Sequence, residues 1–167
     1  MPIVEPEIMM TGSHSIDRCE EETARVLESV FFQLQQHRVN LGGIVLKPNM
    51  VVAGIDSRTR PSVSEVAEST LRCLGGVVPS EVPGIAFLSG GQTPQMATAH
   101  LQAINAKGVQ PWQLTYSFGR ALQTEALAAW AGRGNDTAAA QHAFEERLRL
   151  VTAARRGQYS QDMESPG

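Results

Sequence analysis

The 167-residue chain is poor in the features that would assign it quickly. It has two cysteines, Cys19 and Cys73, far apart and in no C-x-x-C arrangement. That excludes a disulfide scaffold and a cysteine zinc site, and it suits reduced thiols in a cytosolic protein. No apolar run approaches the ~18 residues a membrane helix needs, so no membrane partner is expected. Glu5 and Glu7 interrupt the first apolar residues, so no leader peptide is read there and the cytoplasm is the expected location. There is no basic stripe. With a net charge of −3 and only Arg155-Arg156 as an adjacent basic pair, a general nucleic-acid binder is excluded. Lysine is nearly missing: of 14 basic residues only Lys47 and Lys107 are lysines, so amine chemistry has two side-chain candidates. The four histidines, His14, His37, His100 and His142, are scattered without ligand spacing, and no metal or other cofactor is expected.

What is present is a core and a repeating pattern. Hydrophobic residues make up 42 % of the chain, enough for a compact domain. Four short apolar segments recur: Pro2–Pro6, Ile44–Lys47, Ile85–Ser89 and Leu114–Ser117. Continuous apolar runs of this length suit strands buried on both faces, as in parallel sheets. A helical pattern follows each. From Ser15 to Gln36 an apolar face carries Ile16, Cys19, Thr23, Val26, Leu27, Val30, Phe31 and Leu34. Ser62 and Glu65 spell a capping box before a second helix, which Gly75-Gly76 should stop. Thr93-Pro94 should open a third, with Ala97, Leu101 and Ile104 inward. A fourth follows Gly119, with Leu122, Ala126, Leu127 and Trp130 on its inner stripe. A last helix is expected over about Thr137 to Arg156, with Ala140, Phe144, Leu148 and Val151 inward. Residues 158–167 read as a flexible polar tail on a domain of residues 1–157.

Strand-to-strand steps of roughly 30–40 residues are those of βα units. The pattern fits a small doubly wound sheet or part of a (β/α)8 barrel. Chemistry-bearing residues stand at the C-terminal ends of all four strands, where barrel sites lie, and this favours the barrel.

Lys47 closes the run Ile44-Val45-Leu46 and precedes Pro48, which keeps it extended. Desolvation at a strand end favours a neutral amine able to attack a ketone; the plain alternative is a surface lysine. Glu5 and Glu7, two apart, should share a face and could divide acid and base roles in imine formation; the plain alternative is a hydrated acidic pair. Ser89-Gly90-Gly91 lies between a strand and a helix, where backbone N–H groups and the helix N-terminus favour an anion. Ser117 and Gly119-Arg120 repeat this one unit later with a guanidinium added. Each loop read alone could be an ordinary turn.

The segments Val4-Glu5-Pro6-Glu7, Leu46-Lys47-Pro48-Asn49-Met50-Val51, Phe87-Leu88-Ser89-Gly90-Gly91-Gln92, Pro111-Trp112 and Phe118-Gly119-Arg120-Ala121-Leu122 together resemble class I fructose-bisphosphate aldolase, in order and at compatible spacing. The resemblance implies a (β/α)8 fold, present here as a half barrel of four βα units (the fifth to eighth) plus a C-terminal helix. It implies no metal and reversible cleavage of fructose 1,6-bisphosphate. Lys47 would form the Schiff base, Glu5 would serve as acid/base and Glu7 as a supporting carboxylate. Ser89, Gly90, Gly91, Ser117, Gly119 and Arg120 would hold a substrate phosphate. The first four units, with their further lysines, have no counterpart here, and Lys107 is expected at a helix end away from the strand tips. A weak or inactive sugar-phosphate-binding half barrel therefore stands as the alternative.

A half barrel leaves strand edges at Pro2–Pro6 and Leu114–Ser117. A second copy or a complementing N-terminal half is the expected partner. The chain alone should be oligomeric or aggregation-prone; static light scattering that returns a well-behaved monomer would refute this.

Overall fold

The computed structural model describes residues 1–132 and 137–164. Strand and helix alternate: β1 (Ile3–Val4), α1 (Ile16–Gln36), β2 (Val45–Leu46), α2 (Val63–Val77), β3 (Gly84–Phe87), α3 (Pro94–Ala106), β4 (Gln113–Tyr116), α4 (Arg120–Trp130) and α5 (Thr137–Arg155). Short 3-10 turns occupy Leu41–Gly43 and Gln161–Glu164. The strands form one parallel sheet in sequence order, β1-β2-β3-β4. Consecutive order with every crossover helical is the topology of four successive units of a (β/α) barrel.

The sheet is short, but its register is tightly defined. Val4 pairs with Leu46, Leu46 with Ile85, and Phe87 with Tyr116. Backbone bonds continue past the strands: Lys47 N–H to the Val4 carbonyl (2.8 Å), Leu88 N–H to Pro48 (3.0 Å) and Ser117 N–H to Phe87 (2.8 Å). Leu46, Ile85, Phe87 and Leu114 are buried in the core under the helices. The alternating positions Ile3, Glu5, Val45, Lys47, Thr115 and Ser117 are only partly covered or exposed. That alternation marks the face of the sheet that would line a barrel.

Helix starts follow local chemistry. Ser15 and Thr93 accept from the amides of Arg18 and Met96, and Ser62 with Glu65 completes its capping box. The loops after β1 and β2 run side by side through three backbone bonds: Gly54 N–H to His14, Ile55 to Met10 and Asp56 to Gly12. They approach so closely that a Cβ on Gly54 would lie 2.2 Å from the Gly12 carbonyl oxygen.

Several expectations need correction. Gly75-Gly76 does not stop α2, which runs on to Val77; the end comes at Val78, whose N–H still reaches the Leu74 carbonyl while its own backbone is extended. On α4 only Ala121 is buried, whereas Leu127 and Trp130 are 57 % and 41 % exposed. They border an open groove against Ala140 and Phe144 of α5 rather than the core. On α5 the inner positions are Arg147, Leu150, Val151 and Ala154, not Phe144 and Leu148. A charge takes the inner face because it is fully compensated. The Arg147 guanidinium donates to both carboxylate oxygens of Glu125 and of Glu164, at 2.8–2.9 Å, and lies 3.4 Å from the Thr98 hydroxyl.

The same network overturns the expected loose tail over residues 158–164. Tyr159 is buried, its N–H donates to Gln102 and its hydroxyl donates to Glu164, both at 2.8 Å. Burial, then the Glu164 hydrogen bond and charge, push the Tyr159 hydroxyl up to about 12. Burial alone would lower the Arg147 pKa, and the Glu164 and Glu125 hydrogen bonds reverse that and raise it. Residues 165–167 of the expected tail lie outside the described residues. Removing the guanidinium strands two carboxylates, so Arg147→Ala should cost about 3 kcal/mol in urea unfolding. A loss comparable to an exposed pair, about 0.5 kcal/mol, would contradict this role.

Candidate active site

The β1–β2 register decides the first contact. Because Val4 sits opposite Leu46, the next residues, Glu5 and Lys47, leave their strands side by side. The Lys47 Nζ lies 2.7 Å from Glu5 Oε1, with the lysine side chain 20 % exposed and the glutamate 48 %. An ammonium and a carboxylate at this distance can exchange a proton directly. Glu7 is exposed and makes no ion pair or hydrogen bond among the described residues. β1 ends before either glutamate, so strand alternation does not pair Glu7 with the lysine.

Asn49 is the clamp that sequence reasoning quoted but gave no task. It is 3 % exposed, and its Oδ1 accepts the Ile8 amide at 3.2 Å. Its Nδ2 donates to the Thr23 hydroxyl (3.0 Å) and the Met50 carbonyl (3.1 Å). One buried amide thus ties the segment after Glu7 to the segment after Lys47 and to α1. Its signal was the position itself: a polar residue inside the apolar stretch Pro48–Val52 must be satisfied where it is buried.

The loop after β3 is a tight turn closed by Gln92 N–H to the Ser89 carbonyl at 3.0 Å. Its two central residues, Gly90 and Gly91, have φ of +52° and +75°. Left-handed geometry at both positions is a glycine requirement. Ser89 is buried while Gly91 is exposed, and α3 begins at Pro94. After β4, Ser117 is half-buried, Gly119 caps α4 without a side-chain acceptor, and Arg120 is its exposed first residue. The Arg120 guanidinium makes no ion pair among the described residues. The register brings the Lys47–Glu5 pair and both glycine loops to the same end of the sheet. Lys107, the other lysine, caps the far end of α3 and pairs with Glu68 at 2.6 Å.

Behind the Gly90–Gly91 turn lies a cavity of about 300 Å³, lined by Met10, Val52, Val66, Met96 and His100 among others. His100 is 3 % exposed, and its Nδ1 lies 2.5 Å from the Gln92 Oε1. Its Nε2 has no partner among the described residues. Burial lowers its pKa to about 4.

A lysine–glutamate pair and two glycine loops thus stand together at the C-terminal tips of four successive βα units, the end at which barrel scaffolds carry their sites. The family is settled by comparison. The model of the class-I fructose-bisphosphate aldolase family matches residues 1–167, and the chain belongs to that family. It is 46 % identical over 160 residues to fructose-bisphosphate aldolase B of Gallus gallus, covering 95 % of this chain and 44 % of that protein. It is 46 % identical over 163 residues to the cytosolic fructose-bisphosphate aldolase 4 of Arabidopsis thaliana, covering 97 % of this chain and 42 % of that one. The fold superposes on the Plasmodium falciparum aldolase, solved with TRAP and a small-molecule inhibitor, with a TM-score of 0.92, 43 % identity, and coverage of 96 % of this chain and 46 % of that one. The chain spans about half the length of the curated relatives it matches.

The buried histidine has a consequence for acid stability. An unfolded imidazole takes up its proton near the ordinary value of 6.5 and the folded one only near 4. Between these values the unfolded chain binds more protons, so this contribution is intact above the first and is lost as pH falls toward the second. The full difference amounts to about 3 kcal/mol. Urea midpoints of the wild type should fall more steeply across this window than those of His100→Gln; parallel falls would show that the imidazole is not held neutral.

Proposed function

We propose that the chain carries the nucleophile and anion-binding side of a Schiff-base aldolase site. The reaction is the reversible cleavage of fructose 1,6-bisphosphate to dihydroxyacetone phosphate and glyceraldehyde 3-phosphate. The observation that supports this most is the 2.7 Å contact between Lys47 Nζ and Glu5 Oε1 at the strand tips, flanked by the two glycine loops.

In the proposed cycle Glu5 accepts the ammonium proton and frees Nζ to attack the ketone carbon. The new N–C bond turns the carbonyl into an alkoxide, which takes the second amine proton to give a carbinolamine; the same carboxyl then returns its proton to the departing hydroxyl, which leaves as water. The resulting iminium accepts the electrons of the C3–C4 bond to form an enamine, while the C4 hydroxyl gives its proton to the Glu5 carboxylate and that carbon leaves as the aldehyde of glyceraldehyde 3-phosphate. Ser89, Gly90 and Gly91, with Ser117, Gly119 and Arg120, hold phosphate through backbone N–H groups, hydroxyls and the guanidinium. Glu7 stays in the proposal as a supporting carboxylate that would approach the lysine only with substrate present. The reading requires no metal.

The barrel-lining face is open at both sheet edges, with Ile3 on β1 59 % exposed. A second copy of the chain or a complementing half would close it by pairing with these edges. The cytoplasm is the proposed location; the cytosolic Arabidopsis relative supports it, and no helix among the described residues is long and apolar enough to cross a membrane.

Borohydride reduction in the presence of dihydroxyacetone phosphate should leave one adduct, located at Lys47 by peptide mass spectrometry. Lys47→Met should abolish it, and Glu5→Gln should slow trapping by about 10²–10⁴-fold. Phosphate-sugar binding without any adduct would instead identify a binding half barrel.

A further inference from the structure

We propose that Gln92 and His100 are positioning residues for the Ser89–Gly91 anion loop, fixing its place relative to the Lys47 segment. This deepens the reading above and rests on its assignment of that loop to phosphate.

The loop has a structural weakness. Two left-handed glycines give its backbone N–H groups free approach to an anion, but glycine also has the most conformational freedom to lose. Packing removes that freedom only in part. A Cβ at Gly90 would stand 3.3 Å from the Leu88 side chain and 3.5 Å from that of Met10, but at Gly91 nothing among the described residues beyond its chain neighbours lies within 4 Å, and the turn is backed by the cavity of about 300 Å³. Rigidity must come from hydrogen bonds at the end of the turn, and three converge on Gln92. Its N–H closes the turn on the Ser89 carbonyl at 3.0 Å. Its side-chain Nε2 reaches the Met50 sulfur at 3.7 Å, three residues beyond Lys47. Its Oε1 takes the bond from His100 Nδ1 at 2.5 Å.

His100 is suited to be the fixed end of this tether. It lies within α3, 3 % exposed, so its ring has little freedom to turn. An amide oxygen only accepts, so Nδ1 carries the proton and Nε2 is left bare, in agreement with its having no partner among the described residues. Gln92 therefore spans the distance from the helix interior to the strand that bears the nucleophile. Small errors in such distances are costly in binding and in rate, because anion recognition by backbone N–H groups depends on preorganised geometry.

The probe is inorganic phosphate, titrated into the full chain and followed by the amide resonances of Gly90 and Gly91. Gln92→Ala and His100→Leu should each weaken binding about tenfold or more, and His100→Gln, which keeps an amide donor, should recover part of the loss. A second readout separates positioning from general damage. The ratio of half-saturating concentrations for Schiff-base trapping with dihydroxyacetone phosphate and with unphosphorylated dihydroxyacetone should shift against the phosphorylated ketone. Phosphate affinity within about twofold of wild type in the folded variants would overturn the positioning role and leave the loop's assignment standing. No phosphate response at Gly90 and Gly91 in the wild type would overturn both. If His100→Leu fails to fold, Gln92→Ala, a change at a half-buried loop position, decides the matter alone.

Discussion

The Lys47–Glu5 contact at the centre of the site depends on the parallel register of β1 against β2. A slip of one residue would turn Glu5 and Lys47 to opposite faces and dissolve the ion pair. The strands themselves are too short to hold such a register: each is two residues long. It is held from beyond their ends. The Lys47 amide bonds to Val4, Asn49 bridges to the Ile8 amide, and the loops that follow continue the pairing as far as Asp56. Short strands at a site rim are stabilised here by polar contacts that are buried and individually satisfied, which is the condition under which such contacts rigidify a structure.

A second polar cluster holds the C-terminal helices together. Arg147, between Glu125 and Glu164, joins α5 to α4 and to the C-terminal turn, while Tyr159 fills the space beside it. A cation on the inner face of a helix is costly unless compensated, and two carboxylates from separate elements compensate it. The arrangement specifies where α5 sits against α3 and α4 more strictly than an apolar residue would. It also leaves Phe144 in the solvent-facing groove against α4 and Leu148 partly exposed.

Much of this was legible in the sequence, for identifiable reasons. The βα alternation showed because each strand is a short apolar run and two of the helices carry a readable start signal: Ser62-Glu65 and Thr93-Pro94 cap as their chemistry dictates. Lys47 and Glu5 were singled out from strand position and motif pattern, and the structure places them in contact. Gly90-Gly91 was singled out from its place between a strand and a helix, and the structure adds that both residues take a left-handed φ. What escaped were partnerships over long separations. No periodicity predicts that Arg147 will be buried, because the decision is made by carboxylates 22 residues earlier and 17 later. The exposure of Leu127 and Trp130 depends in the same way on how α5 lies across α4. His100 and Gln92 were legible as residue types but not as a pair, since their contact depends on how the turn before α3 lays the Gln92 side chain alongside that helix.

The contact between Gly12 and Gly54 has a consequence for how this sequence can drift. The two loops touch backbone to backbone, with a gap too narrow for a single methyl group at position 54. Neither loop can change its path alone, because the three backbone bonds that join them would be lost together. A substitution in residues 10–14 or in residues 54–56 therefore acts on both loops at once. The helices on either side can be altered one at a time, whereas the two loops that follow β1 and β2 answer to each other.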